Sequence, residues 1–137
     1  MKNQGKVSAG VGYLLAFLAH QIALADEVKI LAADFQKDRG QRWTVNVTLA
    51  HADTGWDHYA DAWRILDAKD NVLAERVLHH PHVREQPFTR GLDHVELPEG
   101  TTIVYIEAHD TVHGWSPQRL SVDLGAASDG RVRVDAR

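Results

Sequence analysis

The residues of this chain that can do chemistry are its histidines. There are nine of them, and there is no cysteine. Three fall within His79-His80-Pro81-His82-Val83-Arg84-Glu85-Gln86-Pro87-Phe88-Thr89-Arg90. Near neutral pH an uncharged imidazole is the commonest nitrogen ligand for a transition metal. Without thiolates, a site would combine imidazole with carboxylate, a donor set that suits Cu(II) or Zn(II). His80 and His82 are two apart in an extended segment, so both can face one side. His109 and His113 flank a short loop stretch and can converge, and His58 lies in a third loop. The expected metal ligands are therefore His58, His80, His82, His109 and His113, with Asp57, Glu85 and Asp110 as carboxylate candidates. None of these spacings is a zinc signature such as His-Glu-x-x-His.

The same residues allow two other readings. Histidine and aspartate can tie loop backbone together while Trp56, Phe88 and Trp115 cap the open end of a core. Arg84, Arg90 and Glu85 can pair with one another or with Asp57. Alternatively Trp56, Tyr59, His79, Phe88, Arg90 and Trp115, with Asp57, Glu85 and Asp110, form a recognition surface for an extracytoplasmic protein or a glycan. Hydrolysis has little to stand on. There is no Gly-x-Ser-x-Gly, and Ser116, Ser121 and Ser128 lack a nucleophile-elbow setting. The chain is expected to bind rather than to catalyse.

The elements that would position these residues read as short strands. Asp26 to Phe35 carries Val28, Ile30 and Leu31. Trp43 to His51 alternates, with Val45, Val47 and Leu49 opposed to Thr44, Asn46 and Thr48. Ala62–Asp67 and Val72–Leu78 flank the turn Ala68–Asn71 as a hairpin. Phe88–Leu97, Thr102–Ala108 and Arg119–Leu124 complete the set. A helix from Trp56 to Leu78 is disfavoured by the turn in its middle and by its β-branched and aromatic content. Pro81 and Pro87 exclude a helix through the histidine-proline segment. About seven strands with turns every eight to twelve residues predict an all-β, antiparallel sandwich.

Composition sets the compartment. Lys2 and Lys6, the apolar run Val11–Leu18 and Ala23-Leu24-Ala25 form the pattern of a secretory signal peptide over residues 1–25. The competing reading is an uncleaved anchor, but the run is well short of the ~20 apolar residues that a span needs. Cleavage would leave 112 residues, remove two lysines and no acid, and move the net charge from −4 to −6. Such a balance argues against nucleic acid. No later run would cross a membrane. The expected domains are the signal peptide, a β-sandwich over residues 26–124 and a loosely held tail over 125–137. The expected destination is the bacterial periplasm or the exterior.

Leu97-Pro98-Glu99-Gly100-Thr101, then Tyr105 and Ala108 to Gly114, resemble the turn, strand and loop near the end of fibronectin type III and other immunoglobulin-like domains. The resemblance implies a corner tyrosine or a packed strand residue at Tyr105. Gly55 to Tyr59, His80 to His82 and Glu85 to Thr89 also resemble segments of small exported bacterial sandwich proteins of unknown function. That likeness brings no activity with it.

Chain direction reverses at each connection, so Ala52–Asp61, His79–Arg90 and His109–Pro117 should meet at one end of a sandwich. Ala68–Asn71 and Pro98–Thr101 should meet at the other. The first end would carry six of the eight histidines that follow residue 25, with His51 at the top of its strand and His94 apart. Six neighbouring imidazoles would repel once protonated, so the loops are expected to loosen, and any metal to leave, below about pH 6.

Overall fold

The structure is a computed structural model and describes Gly5, Gly10 and residues 27–137. The expected signal peptide, apart from those two glycines, lies outside the described residues. No helix among them is long and apolar enough to cross a membrane.

Two antiparallel sheets pack face to face. The first holds β1 (Lys29–Lys37), β2 (Trp43–Ala50), β5 (Phe88–Val95) and β9 (Arg131–Asp135), in the order β5-β2-β1-β9. The second holds β3 (Ala60–Leu66), β4 (Val72–Val77), β6 (Ile103–Asp110), the two-residue β7 (Gly114–Trp115) and β8 (Leu120–Asp123). Its order is β4-β3-β6-β7, with β8 also on β6. The period-2 pattern determines which side chains enter the core. Trp43, Val45, Val47 and Leu49 of β2 and Ile30, Ala33 and Phe35 of β1 meet Trp63, Ile65, Val104, Ile106 and Val122 from the opposite sheet. Gly91 is needed opposite Asn46, because a Cβ there would stand 2.4 Å from Asn46 Oδ1.

The all-β sandwich expectation holds, with two more strands than the seven expected. The tail expectation does not hold. Residues 131–135 form β9, paired to β1 from Ala32 to Gln36, and Val132 and Val134 pack partly buried against the core. Arg131, Arg133 and Asp135 face outward, and Arg131 pairs with Asp34. Charge on that face marks an exposed edge strand rather than a loose end. A second correction concerns residues 109–117. β6 runs on through His109 and Asp110, and Gly114–Trp115 folds back on it, so most of that segment is a tight hairpin. Tyr105 is a half-buried strand residue with the Arg119 guanidinium 5.5 Å from its ring centre.

The parity expectation is met in space. Asp53, after β2, reaches His82 between β4 and β5, and Thr111, after β6, bonds Tyr59 before β3. At the other end, the 68–71 and 98–102 turns line a common cavity.

Candidate metal centre

Strand alternation carries past the printed end of β2. His51 and Asp53 keep the parity of Val45, Val47 and Leu49, and both are buried. On β6, Asp110 keeps the parity of Val104, Ile106 and Ala108 and is fully buried, while His109 faces the other way. A turn closed by Thr54 N–H to His58 O and by His58 N–H to Gly55 O brings in His58.

Ligand atoms of His51, His58 and Asp110 all lie within 4.8 Å of one another. The rings of His51 and His58 meet edge to face at 4.7 Å. His51 donates from Nδ1 to Asp53 Oδ1 at 2.6 Å, which makes Nε2 the nitrogen it would offer to a metal. The two oxygens of Asp110 differ sharply. Oδ1 accepts from the amides of Val112 (2.9 Å) and His113 (2.8 Å) and from His113 Nδ1 (3.1 Å). Oδ2 is buried and has no hydrogen-bond partner among the described residues. His58 Nε2 is buried too; it pairs with Oδ1 at 3.2 Å but makes no hydrogen bond among the described residues. A buried carboxylate oxygen and a buried imidazole nitrogen that both lack a hydrogen bond are rare in a folded interior. They fit a cation that takes both.

Asp110 is suited to hold such a cation. Burial opposes its charge, but the amides of His113 and Val112 and the His113 and His51 imidazoles outweigh that. Its pKa is held below the ordinary carboxylate value. It is therefore ionised at neutral pH, as a ligand must be.

Of the five expected ligands, His58 belongs to this group and His113 adjoins it through Asp110. The other three have different partners. His109 points outward, donates from Nδ1 to Asp61 at 2.5 Å and sets its ring edge on Trp115. His80 is exposed and contacts its neighbour's carbonyl. His82 is buried, stacks on Phe88 at 4.0 Å and takes an Arg90 N–H on Nε2 at 3.0 Å. Burial, Arg90 and His80 lower its pKa against the opposing pull of Glu85 and Asp53. His80 and His82 do share a face, with ring centres 4.6 Å apart, but neither belongs to the group around Asp110.

The binding candidates divide similarly. Glu85 forms a two-point ion pair with Arg90. Phe88 is in the core. Trp115 is half-buried under the Arg64 guanidinium, 3.7 Å from its ring centre. Trp56 is 68% exposed, with Tyr59 at its edge, and Asp57 and His79 are exposed or nearly so. His51 and Asp53 are the residues that sequence reasoning missed. A cavity of about 510 Å³, lined by Trp43, Lys37 and the 97–102 turn, lies at the opposite end. A metal ion requires no such volume, so the size of that cavity does not move the site.

A protein of Halomicrobium mukohataei named "Putative lipoprotein" is similar to this chain, 38% identical over 107 residues. The match covers 78% of this chain and 52% of that protein, so the chain spans about half the length of the relative. No family model matches the chain, and no solved structure matches it.

Proposed function

We propose that this is an exported β-sandwich protein that binds a divalent transition metal, Cu(II) or Zn(II), at His51, His58 and Asp110, and that it is a binding protein rather than an enzyme. One observation carries the reading: among the described residues the buried Asp110 Oδ2 and His58 Nε2 have no hydrogen-bond partner, and His51 is beside them. Two nitrogens and a carboxylate oxygen form a borderline-hard set without sulfur, which favours these ions over Cu(I). Export is supported by the signal-like residues 1–25 and by the lipoprotein relative. These 137 residues contain no cysteine, so they have no thiol to carry a lipid. An immunoglobulin-like or fibronectin III-like kinship is supported by the strand order, with β1, β2 and β5 in one sheet and β3, β6 and β8 in the other.

The test is metal analysis of protein purified without a polyhistidine tag, followed by titration with zinc and copper salts. One equivalent is expected, lost in His58→Ala and kept in His80→Ala. Absence of metal, together with a melting temperature indifferent to either ion, would overturn the reading. A second reading, a protein- or glycan-binding module, draws on a different observation. Trp56, Val112 and Val83 are 68%, 58% and 54% exposed, one on each of the three loops at the histidine-bearing end.

A further inference from the structure

Asp53 is more deeply buried than its sequence neighbours and ties its own loop to the 79–90 segment. Its side chain has no exposed surface. Oδ1 accepts from His51 Nδ1 at 2.6 Å and from the Ala60 amide at 2.9 Å, and Oδ2 accepts from the His82 amide at 2.8 Å. Gln86 closes the ring. Its Oε1 takes the His51 amide at 3.0 Å, and its Nε2 donates to the His82 carbonyl at 3.0 Å. The His51 ring and backbone are thus both tied to the segment between β4 and β5, which bears the exposed Val83 and Arg84.

Resting on the metal reading above, we infer that Asp53 is the positioning residue of that centre, and that through it metal occupancy stiffens the 79–90 segment. The physical reason is the pairing of the two ring nitrogens. A carboxylate that holds Nδ1–H fixes the tautomer, aims Nε2 and makes it a better donor. A metal on Nε2 draws charge from the ring, so Nδ1–H becomes a stronger donor and the Asp53 bond tightens. The same carboxylate holds the His82 amide, and ordering one oxygen orders the other. The occupied state therefore holds the 79–90 segment in a single arrangement.

The test uses the full chain and zinc chloride as the probe. In the wild type, zinc should slow hydrogen exchange of the His82 amide about tenfold, and ¹⁵N shifts should place the metal on Nε2 of His51 with Nδ1–H retained. In Asp53→Asn the zinc Kd should rise about 10–100-fold, the scale typical of such outer partners, and the exchange response should vanish. A role in stability alone would lower the melting temperature without moving the zinc Kd or the ¹⁵N pattern. An unchanged Kd in Asp53→Asn, or metal on Nδ1, overturns the inference and leaves the metal reading standing. A wild type that takes up no zinc overturns both. If Asp53→Asn does not fold, the wild type decides alone, and an unresponsive His82 amide overturns the inference.

Discussion

The two ends of the sandwich satisfy their polar groups in opposite ways. At the end with few histidines, the turns are capped mainly from within, although Arg119 also reaches Asp70 across 49 residues. Asp67 accepts from Lys69 and Asn71, two and four residues on, and Asp38 does the same for Gly40 and Arg42. At the histidine-bearing end local caps such as that of Asp110 are joined by long-range bonds between loops. Asp53 reaches His82 across 29 residues, Asp61 reaches His109 across 48, and Asp57 O receives Thr111 across 54. A locally capped turn survives the loss of any other turn. Loops tied to one another through buried carboxylates stand or fall together, and a ligand for one becomes a ligand for all. That contrast, more than the count of histidines, marks one end as the working end.

Asp110→Ala should break the comparison most severely. It strands the Val112 and His113 amides and removes a metal ligand, so zinc binding should disappear. Apo stability should fall by about 2–4 kcal/mol, from a penalty of roughly 1–3 kcal/mol for each part-buried group left unpaired. Urea unfolding in chelator at pH 7.5 reads the second effect. A loss no larger than that of Asp67→Ala would mean that the two ends are alike.

A middle-sized effect should appear at the other end without crossing the molecule. Gly100 sits at φ +84°, in open space. Gly100→Ala therefore meets only the left-handed backbone penalty, roughly 1–2 kcal/mol. Zinc affinity should not change, since among the described residues no bond of that turn reaches the metal centre. A shifted Kd would show the ends to be coupled.

Acid should act on the histidine-bearing end through His82, more gently than either substitution. Its folded pKa lies below the ordinary value because of burial, Arg90 and His80. The unfolded chain takes up its proton near pH 6.5, the folded chain only at lower pH. Between those points the unfolded state holds more protons, so stability falls as pH drops below about 6.5. Protonation also ends the bond in which Nε2 accepts from Arg90. Melting in chelator at pH 7.5 and 5.5 should show the fall, and His82→Asn should shrink it. An equal fall in the variant would assign the effect elsewhere.

Much of this was legible in the alternation of β2 and β6. Val45, Val47 and Leu49 announced a half-buried strand, and reversal at each turn gathered the right loops. The same period, extended by two and four residues, reaches His51 and Asp53, and on β6 it selects Asp110 over His109. The sequence carries β2 to His51 but ends β6 at Ala108, where hydrophobic residues give way to polar ones, and that is where a buried polar site must begin. Weight therefore falls on the dense His79–His82 run. There the rings pack on Phe88, Arg90 and each other, contacts that depend on β5 and that spacing along the chain does not encode. β9 was missed for the opposite reason. Its valines alternate, but the arginines between them read as solvent-facing tail, and only the unfilled edge of β1 makes them a strand.

The smallest effect should come from the most conspicuous side chain. Trp56 stands at the tip of the 54–58 turn, 68% exposed, with one ring contact to Tyr59. The turn itself is closed by backbone bonds between Thr54, Gly55 and His58. Trp56→Ala therefore removes little buried area and no hydrogen bond, and stability should change by less than about 0.5 kcal/mol. Zinc affinity should stay within twofold, because the backbone, not the indole, places His58. If the histidine-bearing end has a second use as a docking surface, this variant is the one that separates it from metal binding. Binding to a partner or glycan array would drop while zinc uptake persists. A large loss of zinc affinity in Trp56→Ala would instead mean that the exposed tip, rather than the buried carboxylates, sets the geometry of the centre.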